Sequence, residues 1–394
     1  MRILILGNGF DLAHNLATKY TDFLDFVDFF LNYKKGTFSS GVNRSDMGYS
    51  DVICRDIVPM VSDFKDNYVS QICKTEMEHN HIQKTLEECL IYNKWIKYFS
   101  KTRKAKGWAG FEAEISKVIQ CLDASRKAVK YHEPTKQKRI TIDYKEYPFM
   151  RSLFNDDQSD MPNKTFTENQ FGELIEDALA DLEKLIISFE IYLAYFVEKQ
   201  KVMYRIPNQD IDMASVNCIL SFNYTNTYER IYGNENTTAQ YDYIHGKSRH
   251  GFSEFHGLST NIILGIDEYL DEQDRNHDIT FIRFKKFFQR IYKKTSVDYI
   301  EWIKALQEKD AKDQFGLNEL YFYGHSLSVT DGDIIQDLLN IPNVFTTIFY
   351  YSEEMYAQQI ENLVQIIGEN ELIAAVNHKR IEFKKQSPLI PNNP

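Results

Sequence analysis

The stretch that decides the fold is MRILILGNGF, residues 1–10. Four consecutive apolar residues, Ile3 to Leu6, run directly into Gly7-Asn8-Gly9. A short, continuously apolar run is typical of a strand that is covered on both faces of a parallel sheet, and glycine permits a tight turn after it. This stretch therefore predicts an α/β fold whose first buried strand leads into a glycine loop.

Short apolar runs of the same kind recur in the second half of the chain. They cover residues 216–222, 241–245, 261–264, 319–323 and 343–350. Because several of them are continuously apolar, they fit strands buried on both faces, and we place them in one sheet with residues 2–6. The prediction is a Rossmann-like parallel sheet of about six strands flanked by helices.

The long stretch between the first two runs has a different pattern. In residues 82–99 and 171–196, large apolar side chains recur every three or four positions with charged residues between them, which is typical of amphipathic helices. We therefore predict a large all-helical insertion over residues 36–210 and a smaller helical excursion over 270–315. The sheet domain then comprises residues 1–35 and 211–355, and residues 356–394 form a C-terminal helix and tail.

Composition excludes several classes of protein. Hydrophobic residues make up 43% of the 394 residues, as in globular proteins. A net charge of −11 argues against a surface that wraps nucleic acid. The five cysteines include no C-x-x-C pair, and no run is long and apolar enough to span a membrane. We expect a soluble, cytoplasmic protein with no metal and no membrane partner.

Four polar stretches directly follow predicted strands. They are G-N-G at 7–9, S-F-N-Y-T-N at 221–226, H-G at 245–246 and Y-G-H-S-L-S at 323–328. A parallel α/β sheet binds its ligands at the carboxyl ends of its strands. We therefore expect these stretches to meet at one edge of the sheet and to form the functional site.

Each stretch also has a purely structural interpretation. The glycine loop can bring backbone N–H groups to a phosphate, but Leu12 stands where the dinucleotide fingerprint has its third glycine, so a plain tight turn is equally open. Asn223 can hold a ribose hydroxyl or a water, or it can cap a helix. His245 can accept a proton near neutral pH, although a lone histidine is more often structural.

The segment G-H-S-L-S, residues 324–328, superficially resembles the nucleophile elbow of hydrolases. Ser328 occupies the place of the second glycine of that motif, so a hydrolase triad is not expected. Thr330 and Asp333 have the spacing of a capping box. This spacing predicts a helix start whose positive end faces the same edge of the sheet.

Taken in order, five segments resemble the motifs of AbiH-type bacteriophage abortive-infection proteins. The segments are GNGFDLAHNLATKYTDF, LSFNYTNTYERIY, YIHGK, IILGIDE and YFYGHSLSVTDGDII. The resemblance covers both ends of the chain and implies a role in bacterial defence against bacteriophage. The family often has Gly-Leu-Pro after the histidine of the first motif, where this chain has Asn15-Leu16-Ala17.

The same motifs are also similar to those of sirtuins and of sirtuin-like antiphage domains. The similar positions are the loop glycines, the asparagine near the nicotinamide ribose, the catalytic histidine, and a Gly-x-Ser segment with a following Asp, here Gly7, Gly9, Asn223, His245, Gly324, Ser326 and Asp331. Thr225 replaces an Asp of that family, and the four-cysteine zinc module is absent. The similarity therefore implies NAD chemistry without protein deacylation.

The similarity implies that the protein binds NAD, as a substrate or as a ligand. Hydrolysis of the nicotinamide N-glycosidic bond is the leading hypothesis. Asn223 would orient the ribose or the attacking water, and His245 would accept a proton. The residues expected to bind the nucleotide come from the same strand ends: Gly7, Asn8, Gly9, Phe10, Asp11, His14, Tyr224, Thr225, Gly324, His325, Ser326 and Asp331.

Two alternatives remain open at this point. The first is a module that senses a nucleotide without converting it. The second is a nuclease or RNA-binding effector that acts through the insertion, for which Lys136, Lys138 and Arg139 are the candidate basic residues. A phage-derived trigger or partner protein and a homo-oligomer are further partners that remain open.

Overall fold

The computed structural model describes residues 1–34, 48–67, 70–105, 108–128, 130–132, 137–154, 156, 160–249, 260–270, 272–295, 297–310 and 318–392. The chain divides into two compact units. The first comprises Met1–Thr18, Val197–Ser248 and Thr295–Pro394, and the second comprises Lys19–Phe196 and Arg249–Lys294. Each unit is therefore built from separate stretches of the sequence.

The secondary structure of the two units is given in chain order. The strands are β1 (Arg2–Leu6), β2 (Lys130–His132), β3 (Gln137–Asp143), β4 (Asn163–Thr167), β5 (Tyr204–Arg205), β6 (Cys218–Ser221), β7 (Gln240–Tyr243), β8 (Asn318–Tyr323), β9 (Val344–Tyr350), β10 (Ile381–Lys385) and β11 (Ile390–Pro391). The helices are α1 (Asn8–Ala13), α2 (Tyr20–Asn32), α3 (Val58–Asp66), α4 (Glu76–Leu90), α5 (Lys94–Thr102), α6 (Phe111–Lys127), α7 (Met150–Phe154), α8 (Glu168–Ile191), α9 (Thr227–Tyr232), α10 (Glu272–Arg275), α11 (Lys286–Lys293), α12 (Asp298–Asp310), α13 (Gly332–Leu339), α14 (Glu353–Ile367) and α15 (Glu369–Asn377).

The first unit is built on a six-stranded sheet in the order β10-β9-β8-β1-β6-β7, with every neighbouring pair parallel. Ile3 and Ile5 of β1 belong to one buried core, and Leu4 and Leu6 belong to a second core. Since successive side chains of a strand point to opposite faces, both faces of β1 are buried. This double burial explains why the run is continuously apolar, and the predicted parallel α/β sheet is confirmed.

One predicted strand is wrong, and a different segment provides the sixth strand. Residues 261–264 lie in the second unit and carry no regular secondary structure in the described chain. The backbone N–H and carbonyl of Leu264 bond to the side-chain amide of Gln289, and the Ile262 carbonyl accepts from Lys293. The segment is apolar because it is buried, but its backbone is satisfied by side chains of α11. The sixth strand of the sheet is β10.

The predicted all-helical insertion is also corrected, because the second unit contains an antiparallel sheet in the order β2-β3-β4. Ile140 and Ile142 of β3 are buried, while Thr141 between them is exposed. This alternation is typical of a strand with one buried face. The remainder of the unit is mainly helical, and α4, α5 and α8 form where the three- and four-residue spacing predicts helices.

The unit boundaries differ from the predicted domain ranges. Helix α2 belongs to the second unit, and residues 197–210 belong to the first. Strand β5 pairs with β11, and Asp210 accepts hydrogen bonds from the backbone N–H and the hydroxyl of Ser387. The C-terminal segment is thus attached to the sheet unit through β10, β11 and this contact. None of the helices within the described ranges is long and apolar enough to cross a membrane.

Candidate functional site

The loops after β1, β6 and β8 are joined directly at the carboxyl edge of the sheet. The side-chain amide of Asn223 donates to the carbonyl of Gly7 at 3.0 Å. The N–H of Gly9 donates to the carbonyl of Gly324 at 2.8 Å, and the N–H of Gly7 donates to the carbonyl of Tyr323 at 3.2 Å. The structure therefore brings these three stretches into contact, although the first is more than 200 residues away from the other two in the chain.

The glycines of these loops are needed for the close approach of one backbone to another. A Cβ added to Gly7 would lie 2.6 Å from the Gly324 carbonyl oxygen, and one added to Gly324 would lie 2.1 Å from the Phe10 nitrogen. Gly324 also has a φ of +66°, which side chains disfavour. The N–H groups of Gly7 and Gly9 are engaged with the β8 loop in this structure, so the glycines serve loop packing here.

Asp11 lies in a closed polar crevice beside the first loop. The Thr225 hydroxyl donates to its Oδ2 at 2.6 Å, while its Oδ1 is buried and finds no hydrogen-bond partner among the described residues. Burial raises the pKa of Asp11 to about 6, against the opposing effects of the Thr225 and Thr227 hydroxyls and of Arg230. The space among the lining residues is too narrow to admit a water molecule.

Two charged residues that the sequence analysis missed lie near Asp11. Arg230 lowers the pKa of the Asp11 carboxyl and Glu198 raises it, each through its charge. Arg230 donates from Nη1 to the Glu198 carbonyl, and Ser248 donates to the Glu198 carboxylate at 2.5 Å. Arg230 lies within the quoted segment LSFNYTNTYERIY, whereas Glu198 follows a helix and has no motif that could have identified it.

His14 is a structural residue of the core. Its Nδ1 lies 2.7 Å from the Phe10 carbonyl oxygen, and its Nε2 lies 3.0 Å from the Tyr232 hydroxyl. That hydroxyl accepts the N–H of Ile206, so its own proton points to Nε2 and the imidazole proton is on Nδ1. Burial lowers the pKa of His14 to about 4. Both ring nitrogens are thus occupied, and the ring is neutral at physiological pH.

A second cluster lies around Asp331, where a carboxylate sits between two histidines. Oδ1 of Asp331 is 3.4 Å from Nε2 of His245, and Oδ2 is 4.0 Å from Nε2 of His325. Nδ1 of His325 accepts the N–H of Leu327, so in the neutral ring the proton is on Nε2, toward Asp331. All three clustered side chains are buried. Charge interactions among them are therefore weakly screened by solvent.

His245 differs from His14 because its Nε2 is not fully hydrogen bonded. A separation of 3.4 Å from Asp331 is long for a hydrogen bond, and this buried nitrogen has no other partner in the described chain. An ionised Asp331 favours the tautomer with the proton on Nε2, which leaves the lone pair on Nδ1 of His245. The arrangement is one that can accept a proton and stabilise the resulting imidazolium.

Phe222 holds the two histidine rings of this cluster. Its ring centroid is 4.4 Å from that of His325 and 5.4 Å from that of His245, and both contacts are close to perpendicular. Sequence analysis missed Phe222, although it lies inside the S-F-N-Y-T-N stretch. Leu327, which donates to His325, has a φ of +55°. A positive φ is strained at a bulky residue, and such strain is often found at functional sites.

The predicted capping box is wrong in its detail. Helix α13 begins at Gly332 with Asp331 as its N-cap residue, rather than with the Thr330 and Asp333 pair. A 3₁₀ turn over Val329–Asp331 precedes it, and the Ser328 side chain accepts the N–H of Thr330. Because the turn starts the helix later, the Asp331 carboxylate faces the histidines instead of a backbone N–H.

The remaining predicted site residues have varied positions. Phe10 is fully buried in the same core as Leu6, and the ring of Tyr224 lies 6.2 Å from that of His245. Asn8 is exposed and accepts the Thr18 hydroxyl at 2.7 Å. The Ser326 carbonyl accepts the Asn362 amide. These residues surround the joined loops.

The structure separates the predicted site into two groups. Phe10, next to Asp11, belongs to one of the two cores that cover the sheet, and Phe222, against His245 and His325, belongs to the other. Asn223 lies between the groups, because it lines the Asp11 crevice and directly follows Phe222. The Asp331 group contains the residues with the clearer potential for proton transfer.

Several basic residues of the insertion are paired with acids in the described part of the chain. Arg103 pairs with Asp25 at 2.6 Å, Arg126 pairs with Asp123 at 2.5 Å, and Lys138 pairs with Glu168 at 2.9 Å. Lys136 lies outside the described residues. In the described ranges, no group of three or more His, Cys, Asp or Glu residues is arranged to hold a metal ion. The nuclease alternative gains no support from these contacts.

The fold and site define an α/β protein with a six-stranded parallel sheet and a histidine–carboxylate cluster at the carboxyl edge. A family model described as "Bacteriophage abortive infection AbiH" matches residues 3–351. The chain therefore belongs to the AbiH family, and the family suggests a role in bacteriophage abortive infection. Neither curated proteins nor solved structures gave a match.

Proposed function

We propose that this protein acts in abortive infection by binding NAD or a related nucleotide at the carboxyl edge of its parallel sheet and hydrolysing the nicotinamide N-glycosidic bond. The observation that carries the proposal is the buried His245 with Nε2 at 3.4 Å from the Asp331 carboxylate. A histidine oriented by a carboxylate is a suitable general base near neutral pH. The similarity of the motifs to sirtuin-like domains supports NAD as the substrate.

The reaction needs one base and a positioned water. The bond between C1′ of the ribose and the nicotinamide nitrogen breaks, and its electron pair leaves with nicotinamide, which becomes neutral. The ribose then carries oxocarbenium-like positive charge, and the water oxygen forms the new bond to C1′. Nδ1 of His245 accepts the water proton, and Asp331 stabilises the imidazolium. The products are nicotinamide and ADP-ribose.

The other residues of the edge position the substrate in this proposal. Asn223 orients the ribose or the attacking water, from a side chain that the Gly7 carbonyl already holds in place. Phe222 and His325 keep His245 and Asp331 in their mutual geometry. Since the N–H groups of Gly7 and Gly9 donate to the β8 loop, use of these groups for a pyrophosphate requires the two loops to separate.

The direct test follows nicotinamide release from NAD by the purified full chain, with and without lysate of bacteriophage-infected cells to supply a trigger. His245→Ala should lower the rate by about 10² to 10⁴, because it removes the base. Asp331→Asn should lower it by about tenfold or more, because the imidazolium loses its partner. His378→Ala is the matched control, since His378 is exposed at the end of α15. A rate that His245→Ala leaves unchanged contradicts the proposal.

Burial of the site favours one alternative, a nucleotide sensor that binds without turnover. His245, Asp331 and Asn223 are all buried, and Thr225 stands where sirtuin-like domains have an Asp and bonds to Asp11. Calorimetric titration with NAD and with ADP-ribose separates the two functions. Tight binding without nicotinamide release, unchanged by His245→Ala, would assign the edge to sensing.

A further inference from the structure

Helix α11 of the second unit has its polar and apolar faces reversed relative to an ordinary surface helix. Its sequence is KFFQRIYK, residues 286–293. Phe287 is 45% exposed, and Ile291 and Tyr292 are each 75% exposed. Lys286 and Gln289 are buried on the opposite side. A surface helix normally buries its apolar face and exposes its charges, so this helix presents its apolar face outward.

The inward face of α11 is held by ion pairs and hydrogen bonds. Lys286 lies 3.2 Å from Glu112, and Lys293 lies 3.2 Å from Glu183. Lys285, which directly precedes the helix, donates to both carboxylate oxygens of Glu268. Burial of these ammonium groups is tolerated only because each one is paired. The orientation of the helix is therefore specified by three separate charge contacts, and rotation of the apolar side chains inward would break them.

Every charged residue in the segment around α11 is cationic. Residues 281–294 read FIRFKKFFQRIYKK and contain six Lys and Arg residues and no acidic residue, in a chain whose net charge is −11. Lys294, the C-cap residue of the helix, is exposed, and Arg290 is half-buried. Four of the six cations are paired with acids from other segments: Arg283 with Glu176, Lys285 with Glu268, Lys286 with Glu112 and Lys293 with Glu183. The positive charge beside the exposed apolar and aromatic side chains is therefore that of Lys294 and Arg290. A surface that binds this face should have an apolar interior and anionic groups at its boundary.

We propose that the outward face of α11, formed by Phe287, Ile291, Tyr292 and Lys294, docks on the surface of an anionic lipid bilayer. Aromatic and aliphatic side chains beside Lys or Arg are the composition of helices that lie in the bilayer interface. Side chains exposed by 75% project from the helix, and a lipid interface receives them without needing a matching groove. Face-to-face pairing of two copies would instead bring like charges of Lys294 and Arg290 together.

This docking is peripheral and is independent of the proposed NAD chemistry. The sequence analysis expected no membrane partner, and this proposal departs from that expectation. A face only two helical turns long needs no segment that spans the bilayer. Few apolar side chains enter the interface, so the association is weak and reversible. Acidic residues farther away than about 8–10 Å are screened at physiological salt, so they do not cancel the charge of Lys294.

The test is co-sedimentation of the full chain with vesicles of phosphatidylcholine alone and of phosphatidylcholine with about equal phosphatidylglycerol. Wild-type protein should bind the anionic vesicles, and Ile291→Ser with Tyr292→Ser should weaken binding at least about tenfold, because two apolar side chains no longer enter the interface. Lys294→Gln should weaken it about fivefold. Ile373→Ser on α15 is the matched control, since Ile373 is 51% exposed on a helix whose first turn is acidic.

Three outcomes would overturn the docking proposal. They are no sedimentation of wild-type protein with anionic vesicles, equal binding to neutral vesicles, or an equal loss in the Ile373→Ser control. Concentration-dependent oligomers without lipid, abolished by the double substitution, would assign the face to a second copy of the chain instead. Unchanged melting temperatures and circular dichroism of the variants exclude unfolding as the cause. Nicotinamide release is measured separately, so failure of one proposal does not affect the other.

Discussion

Two histidines at the carboxyl edge of the sheet show how differently the fold uses the same residue type. His14 has both ring nitrogens occupied, by the Phe10 carbonyl and the Tyr232 hydroxyl. His245 has a buried Nε2 that faces Asp331 at a distance too long for a good hydrogen bond. Both are buried, so burial alone does not distinguish them. The two residues differ in how completely their ring nitrogens are hydrogen bonded. This difference marks His14 as a core residue and His245 as the candidate base.

The largest expected effect comes from replacing each histidine by alanine. His14→Ala should cost about 3–4 kcal/mol of unfolding free energy, because it opens a cavity and removes two buried side-chain hydrogen bonds. His245→Ala should cost about 1–2 kcal/mol, because it opens a cavity without breaking a good hydrogen bond. Thermal and urea unfolding of both variants measures the difference, which is about 2 kcal/mol. Equal losses would mean that the two sites are equally structural.

The second prediction concerns pH. Asp11 lies in α1 and His14 is the C-cap residue of that helix, and their pKa shifts have opposite consequences for stability. Burial raises the pKa of Asp11 from 3.8 to about 6. The folded state therefore holds this proton more tightly, and stability falls as pH rises from about 4 to 6. Burial lowers the pKa of His14 from 6.5 to about 4. The unfolded state binds that proton more tightly, so stability rises with pH over nearly the same interval.

Each pKa shift corresponds to about 3 kcal/mol of unfolding free energy, so the pH-dependent contributions of Asp11 and His14 largely cancel in the wild-type protein. As pH rises from about 4 to 6.5, the unfolding free energy of Asp11→Asn should increase by up to about 3 kcal/mol relative to wild type. That of His14→Gln should decrease by a similar amount over the same range. Unfolding free energies of the three proteins across this interval test both signs, because all other groups titrate alike in each. Parallel curves would contradict the assigned burial of these two side chains.

The smallest expected effect lies at Asn15, directly after His14. Asn15 has a φ of +63°. Glycine, which is common at this place in the family, adopts this conformation without strain. Asn15→Gly should therefore change stability by no more than about 0.5 kcal/mol, while Asn15→Ala should cost about 1 kcal/mol. Asn377→Ala serves as the control at a helix end. Equal effects of the Gly and Ala substitutions would show that the backbone conformation contributes nothing.

Much of the sheet could be predicted because burial on both faces leaves a clear signal in the sequence. Residues 2–6 are continuously apolar, and they form the strand with cores on both sides. The same signal led to the wrong prediction of a strand at residues 261–264, because a buried loop whose carbonyls bond to side chains is equally apolar. Strand β10 was missed because its sequence IEFKK contains three charged residues and lies at the edge of the sheet.

The antiparallel sheet of the second unit was missed for another reason. Its strand β3 carries the alternation of Ile140, Thr141 and Ile142, but this signal is short and lies between long helical patterns. The contacts among the stretches that follow the strands were predicted only in part. Asn223 and the glycine loops meet as expected, whereas His14 turns into the core, and Phe222 and Glu198 were not foreseen.

The sequence by itself determined the parallel sheet, the stretches that follow its strands and the membership of the AbiH family. These features depend on local patterns of apolar residues, glycines and motifs, which can be read along the chain. Only the tertiary structure decided that Asp331 faces His245 and His325, that His14 is fully hydrogen bonded, and that α11 turns its apolar face outward. Each of these depends on which side chains from distant segments occupy the neighbouring space, and hydrogen bonding and ion pairing then select between orientations that the local sequence allows equally.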